Sequence, residues 1–396
     1  MPVFTKKKLR SFVSGDVVLE VGEVITPLER LGARTISIEE ESIKDISKPK
    51  NSTVEPDFDF SSCMAIPGFV DIHMHGYGGY SSSSTNFKEF KKMSEILPKH
   101  GVTSFFPSTM SQSKESLIEV AKAFKEAKRA EFSGSRMVGL HLEGPHLGKG
   151  EEKGVQYEES LRPTDLSELG ELVSASGDNI ERLTLAPELE GALDYIEKAV
   201  SMGILVSAGH TDATYEEAIR SFDKGVKLVN HLYNGMRKFH HREPGILGAA
   251  LTRDDIYAEL IADLVHLHPA AIKLAIEAKG VERLVLITDS ISAAGLSDGE
   301  YELGEQKIVV DDGVSRIEGG ERLAGSTLTL DVAVRNLVNE LGLELKDAVR
   351  MATLNPAELF DLYDRGKIRE GCKGDIVIIN ESFEVVATIL GGEVYS

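Results

Sequence analysis

The chain has 396 residues, 41% hydrophobic and 27% charged, with a formal net charge of -20, a size that suits one large domain plus a smaller one. The acidic balance argues against a nucleic-acid partner and against an anionic membrane surface, because both need basic patches. The basic residues 1–10 lead into no apolar stretch, no segment approaches ~18 apolar residues, and the two cysteines, Cys63 and Cys372, read as packed reduced thiols, so a cytoplasmic protein without signal peptide or membrane span is expected.

In chain order, residues 17–21, 24–25 and 35–38 are short β-prone runs divided by Gly15-Asp16, Gly22-Glu23, Pro27 and Gly32. They predict antiparallel strands with tight turns. From residue 66 the pattern changes. Apolar runs at 66–72, 103–106, 137–142, 182–186, 204–207, 227–230, 257–262 and 284–288 are rich in Val, Ile and Leu, as strands buried on both faces are. Helical patterns lie between most of them. Leu117, Val120, Ala121, Phe124 and Ala127 follow one helix face, Thr214-x-x-Glu217 is a capping box, and Pro269 suits a first helical turn. Residues 81–84 read as a flexible loop, residues 232–248 as a long functional loop, and residues 301–317, with Asp311-Asp312-Gly313, as a hairpin. Residues 375–379 and 383–390 return to short strands. The expected fold class is α/β. A (β/α)8 TIM-like metal-dependent hydrolase barrel spans residues 66–359, and a small β-sandwich domain is built from residues 1–65 plus 360–396 at the two chain ends.

Five of the strand candidates end in acid–base or metal-seeking side chains. They are Asp71-Ile72-His73-Met74-His75, His141-Leu142-Glu143, Ser207-Ala208-Gly209-His210, Val229-Asn230-His231 and Ile287-Thr288-Asp289. A lone buried histidine is usually a satisfied core residue. Five such strand ends at one barrel mouth are costly to bury unless they bind something. His-x-His puts both imidazoles on one side of a strand, with Asp71 on the same face. Glu143, His210 and His231 supply further ligands, and imidazole with carboxylate suits Zn2+ or Fe2+, one or two ions per subunit. Asp289 is not needed as an anchor, so it is the candidate for moving protons in hydrolysis of a polar C–N or C–O bond. His100, His146, His240, His241 and His268 lack such a pattern and are expected at the surface or in loops. Arg242 reads equally as a phosphate ligand or as a surface ion pair with Glu243. His266 follows strand seven, where barrels often bind phosphate.

These segments resemble the N-acetylglucosamine-6-phosphate deacetylase family of the amidohydrolase superfamily. The resemblance rests on Pro67-Gly68-Phe69-Val70-Asp71-Ile72-His73-Met74-His75-Gly76, Gly139-Leu140-His141-Leu142-Glu143-Gly144-Pro145 and Gly209-His210-Thr211. It extends through His231-Leu232-Tyr233-Asn234-Gly235-Met236, Arg242-Glu243-Pro244-Gly245, Ile261-Ala262-Asp263 with His266, Thr288-Asp289, Leu323-Ala324-Gly325-Ser326 and Asn355-Pro356-Ala357. It implies removal of acetate from N-acetyl-D-glucosamine 6-phosphate, with metal ligands at Glu143, His210 and His231 and a second site at His73 and His75. It also implies acid/base work by Asp289, phosphate contacts from Arg242 and His266, and sugar or acetyl contacts from Val155, Gln156, Asn234, Gly235, Leu323, Ala324 and Gly325. Gln156 stands where many members carry a histidine. A homodimer is implied, with Arg242 reaching the neighbour's phosphate. The competing readings are the galactosamine epimer as substrate, a cyclic-amidase-type hydrolase (disfavoured because residues 183–188 hold no lysine) and a non-catalytic barrel.

Overall fold

In the computed structural model, the strand Phe58–Pro67 runs almost directly into the strand Phe69–Met74. The junction is Gly68, where a Cβ would lie 2.2 Å from Thr103 Oγ1, so only glycine lets the chain pass so close. This point divides two sheets. The structure describes residues 16–49, 55–130, 133–304 and 306–396. The basic residues 1–10 and the turn residue Gly15 lie outside them.

The larger sheet holds eight parallel barrel strands, with the two-residue strand Arg136–Met137 also pairing in parallel with Val102–Thr109. We label the eight β1 (Phe69–Met74), β2 (Val102–Thr109), β3 (Leu140–Glu143), β4 (Ile180–Leu185), β5 (Leu205–Ala208), β6 (Val226–Val229), β7 (Tyr257–Ile261) and β8 (Leu284–Ile287). Each pairs with the next in parallel from β1 to β8. Backbone bonds close the ring at its C-terminal mouth: Asp289 N donates to His73 O at 2.9 Å and His75 N to Ser290 O at 2.7 Å. The result is the expected barrel. Its first strand starts three residues later than predicted, because Ile66 and Pro67 belong to the other sheet.

Helices cover the outside. Lys114–Arg129 buries the predicted face of Leu117, Val120, Ala121, Phe124 and Ala127. Tyr215–Asp223 opens on the Thr214–Glu217 capping box, and Pro269–Lys279 opens on Pro269 with His268 as its cap. None of the described helices is long and apolar enough to cross a membrane.

The second sheet joins both chain ends in the order Glu393–Tyr395, Val385–Leu390, Ile376–Ile379, Phe58–Pro67, Val17–Ile25, Arg34–Glu39, Ser42–Ser47, with Arg30–Leu31 beside Val17–Ile25. Strand Ile376–Ile379 shows the period-two logic. Ile376 and Ile378 enter the sheet's own core with Leu19, Val21 and Ile389, while Val377 and Ile379 face the barrel core. The sequence predicted antiparallel strands here. Most are, but Val17–Ile25 and Phe58–Pro67 run parallel, so the sheet is mixed.

Two loop expectations change. The predicted hairpin is a three-stranded antiparallel flap, Gly299–Leu303, Gln306–Asp311 and Val314–Ile317, packed through Leu303, Ile308 and Val310 on Met110, Ile291 and Ala324. Residues 81–84 are fastened rather than loose: Ser82 is buried and donates to Met74 O at 3.0 Å, and Ser83 Oγ accepts from Met110 N at 2.8 Å. Cys63 and Cys372 are buried and unbonded to each other.

Candidate metal centre

Four imidazoles converge on one buried carboxylate at the barrel mouth. His73 lies in β1 and His75 just beyond it; Glu143 ends β3; His210, His231 and Asp289 each sit two residues past β5, β6 and β8. These last three leave their strands in left-handed backbone, with φ of 49°, 21° and 49°. That conformation costs roughly 1–3 kcal/mol for a non-glycine residue and clusters at functional sites. Glu143 Oε1 lies 3.2 Å from His73 Nε2 and 3.4 Å from the Nε2 atoms of both His210 and His231, while Oε2 lies 3.3 Å from His75 Nε2. Asp289 Oδ1 lies 3.2 Å from His75 Nε2 and 3.6 Å from His73 Nε2.

The ring orientation has a common cause. Every Nδ1 is engaged behind its ring: His75 by Ser108 O at 3.0 Å, His210 by Glu152 O at 2.8 Å, His231 by Asn234 O at 3.0 Å, and His73 by Glu259 Oε2 at 3.0 Å. An acceptor at Nδ1 suits a proton there and points Nε2 at the centre, the orientation of metal-ligating histidines. Two ligand groups result, His73 with His75 and Glu143, and Glu143 with His210 and His231, each with its donor atoms within 4.8 Å of one another. His73 Nε2 is buried without a hydrogen-bond partner although Glu143 Oε1 is near.

Electrostatics agree. Burial pushes His73 and His75 down, but carboxylates outweigh it: Glu143 and Glu259 raise His73 to about 10, and Asp289 and Glu143 raise His75 to about 9. Burial pushes Asp289 up, yet the His75 hydrogen bond and the charges on His73, His75 and His231 hold it at about 2. Glu143 is likewise held well below its ordinary value, by His73 and His210 against burial. Such a field collects positive charge, and the donor set fits a divalent cation.

Asp71 shares the strand as predicted but does not face the centre. It accepts from Thr288 Oγ1 at 2.6 Å and from His73 N at 3.2 Å, and burial raises it to about 6 against those bonds. Sequence reasoning missed the layer beneath. Arg182, fully buried, donates to Ile72 O at 2.9 Å and Asn230 Oδ1 at 2.7 Å, and pairs with Glu259 at 2.5 Å. Asn230 Nδ2 then donates to Glu143 Oε1 at 3.0 Å. The available signal was a charged residue inside each of two apolar strand runs, Arg182 in β4 and Glu259 in β7.

Other expected residues fall around the mouth. Gly235 has φ 56°, and a Cβ there would sit 3.0 Å from His210 Nδ1. Asn234 supports the His231 turn through His231 O at 3.3 Å. Gly325 follows buried Ala324 in the turn with Leu323 that docks on β8, where Ser326 N donates to Asp289 O at 2.9 Å. Val155 O accepts from the flap's Gln306 at 2.5 Å. Gln156 lies at the centre itself, donating to Glu143 Oε2 at 2.8 Å. His266 is held by Asp263 at 2.6 Å; burial pushes its pKa down, but the Asp263 hydrogen bond and charge, together with the Asp289 charge, raise it overall. A cavity of about 210 Å³ adjoins it, lined also by Gly325, Ser326 and Thr327. Arg242 is not gathered with them. It is exposed on its loop, its guanidinium 3.0 Å from His241 Nε2.

Two of the remaining histidines are more enclosed than a surface position, though His146 lies in a loop as expected. His146 is buried, with Nδ1 on Arg162 O at 3.1 Å, and His100 is half-buried between Asp331, at 3.3 Å, and Tyr77 Oη, at 2.6 Å. Both sit beside the covering helices, where a polar tip finds partners that no strand-end pattern announces.

Comparison with known proteins agrees with this geometry. Residues 64–395 match the amidohydrolase family. The chain is 36% identical over 333 residues to the N-acetylglucosamine-6-phosphate deacetylase of Bacillus subtilis, covering 83% of this chain and 84% of that one. It is 34% identical over 334 residues to an N-acetylgalactosamine-6-phosphate deacetylase of Escherichia coli O157:H7, covering 84% and 88%. Its fold superposes with a TM-score of 0.91, at 32% identity and covering 96% and 99% of the two chains, on an aspartate-to-alanine mutant of N-acetyl-D-glucosamine-6-phosphate deacetylase from Mycobacterium smegmatis in complex with N-acetyl-D-glucosamine-6-phosphate. The chain therefore belongs to the amidohydrolase family and, within it, to the N-acetylglucosamine-6-phosphate deacetylases.

Proposed function

We propose that the protein hydrolyses the acetamide of N-acetyl-D-glucosamine 6-phosphate, giving D-glucosamine 6-phosphate and acetate. The observation that carries this is the set of four imidazoles turned by their Nδ1 partners onto Glu143, with Asp289 alongside. Glu143, His210 and His231 would hold a divalent ion, Zn2+ or Fe2+, with His73 and His75 offering a second position; such an ion lowers the pKa of water towards ~7 and polarises a carbonyl. Asp289 takes the proton of the attacking water as its oxygen bonds to the acetyl carbon. It returns that proton to the sugar nitrogen as the C–N bond breaks, so a neutral amine leaves with acetic acid, which gives up its own proton to solvent to become acetate. The turn of Leu323, Ala324 and Gly325, with Asn234 and Gly235, encloses the sugar and its acetyl group.

Arg242 and His266 are assigned to the 6-phosphate, so that remote binding energy orients the acetamide. His266 is poised within one subunit by Asp263. Exposed Arg242 suits delivery from a second copy in a homodimer. Arg242→Ala is expected to raise KM for the phosphorylated sugar and leave the unphosphorylated one unaffected. Equal losses on both would remove it from phosphate recognition.

The direct test is acetate release by metal-loaded protein from N-acetylglucosamine 6-phosphate, its galactosamine epimer and the unphosphorylated sugar. Turnover of the first, weak without phosphate, is expected. Preference for the epimer would keep the chemistry and change the substrate. No release from any of them would reject the proposal.

A further inference from the structure

We infer that Gln156 is a positioning residue for the Glu143 carboxylate, aiming one oxygen at each of two metal positions and so setting occupancy of the His73/His75 position. This rests on reading Glu143 as a metal ligand. Two amides grip that carboxylate from different sides. Asn230 Nδ2 donates to Oε1 at 3.0 Å, and Gln156 Nε2 donates to Oε2 at 2.8 Å. Gln156 is itself fixed: it is 2% exposed and its Oε1 accepts from Ser111 N at 2.8 Å. Both ends of its amide are spent on the protein, so little of it remains to contact a sugar.

The consequence follows from the lone pairs. A carboxylate oxygen offers about two acceptor directions. One on each oxygen is taken by an amide, and one remains toward the histidines. Oε1 then serves His210 and His231, both 3.4 Å away, with His73 also 3.2 Å from it, while Oε2 faces only His75 of the four rings, at 3.3 Å, and is the oxygen that Gln156 holds toward the His73/His75 position. The terminal torsion of a glutamate is soft. Without Gln156 the group is free to rotate and chelate one ion with both oxygens, as carboxylates elsewhere do. The His73/His75 position would then lose its third ligand, and the other position would keep its own.

The test is calorimetric titration of chelator-stripped protein with Zn2+, beside steady-state kinetics. Two binding steps are expected for the wild type. Gln156→Met should weaken the second step by ~10–100-fold, the usual effect of losing such a partner, with the first step unchanged. Gln156→Asn keeps an amide in the loop but is one methylene too short to span Ser111 N and Glu143 Oε2. It should show the same selective loss, which guards against a folding defect in the methionine variant. A raised KM with an unchanged titration would make Gln156 a substrate contact and overturn the inference. So would equal weakening of both steps, or a single step in the wild type. A wild type that binds no Zn2+ would reject the metal reading itself.

Discussion

Asp289→Asn is expected to lower kcat by roughly 10²–10⁴-fold while metal content stays at the wild-type level. The variant keeps the size and the left-handed backbone that asparagine tolerates well, so the centre's shape survives. What it loses is the ability to accept a proton. Asp289 is held at about 2 against burial by the hydrogen bond from His75 and by charge on His73, His75 and His231. It is therefore ionised at neutral pH. Metal analysis together with turnover checks the prediction, and near-wild-type turnover would remove Asp289 from the mechanism.

Glu259→Gln is expected to cost about 3–5 kcal/mol of stability, the usual loss when one partner of a buried ion pair is removed. Arg182 and Glu259 are both fully buried, and Arg182 would keep its charge with no counterion. The double variant Arg182→Met with Glu259→Gln should recover part of the loss, because no unpaired charge then remains. Denaturant midpoints of the metal-free proteins provide the measurement, and a cost below ~1 kcal/mol would show that water or relaxation compensates. The pH dependence has a definite sign. Burial raises the Glu259 carboxyl, but Arg182 and His73 lower it from 4.5 to about 2. Its contribution is therefore present above pH 4.5 and is lost as pH falls toward 2.

Much of this was legible in the sequence because strands write their burial plainly. Apolar runs ending in His, Glu or Asp marked the barrel and its mouth, and those ends converge on Glu143. The β1 boundary was missed by three residues because Ile66 and Pro67 continue the same apolar run, and only Gly68 signals the change of sheet. The parallel pairing of Val17–Ile25 with Phe58–Pro67 was hidden because strand composition does not encode direction. Arg182 and Glu259 were overlooked because each is a single charge in an apolar strand, meaningful only once the barrel brings them within 2.5 Å. Gln156 was placed by resemblance near the sugar, and no strand-end pattern announced its hydrogen bonds to Ser111 N and Glu143 Oε2.

The four ring anchors differ in how easily they can be lost. His75, His210 and His231 lean on main-chain carbonyls of Ser108, Glu152 and Asn234. Any residue at those positions supplies the same oxygen, so no single codon change deletes it. His73 alone leans on a side chain, Glu259. The two halves of the centre thus have unequal mutational robustness. A change at position 259 alone would remove the ring anchor of His73 and also the acceptor of His231 N, 3.1 Å from Glu259 Oε2, while the ring anchors of His210 and His231 survive almost any substitution behind them.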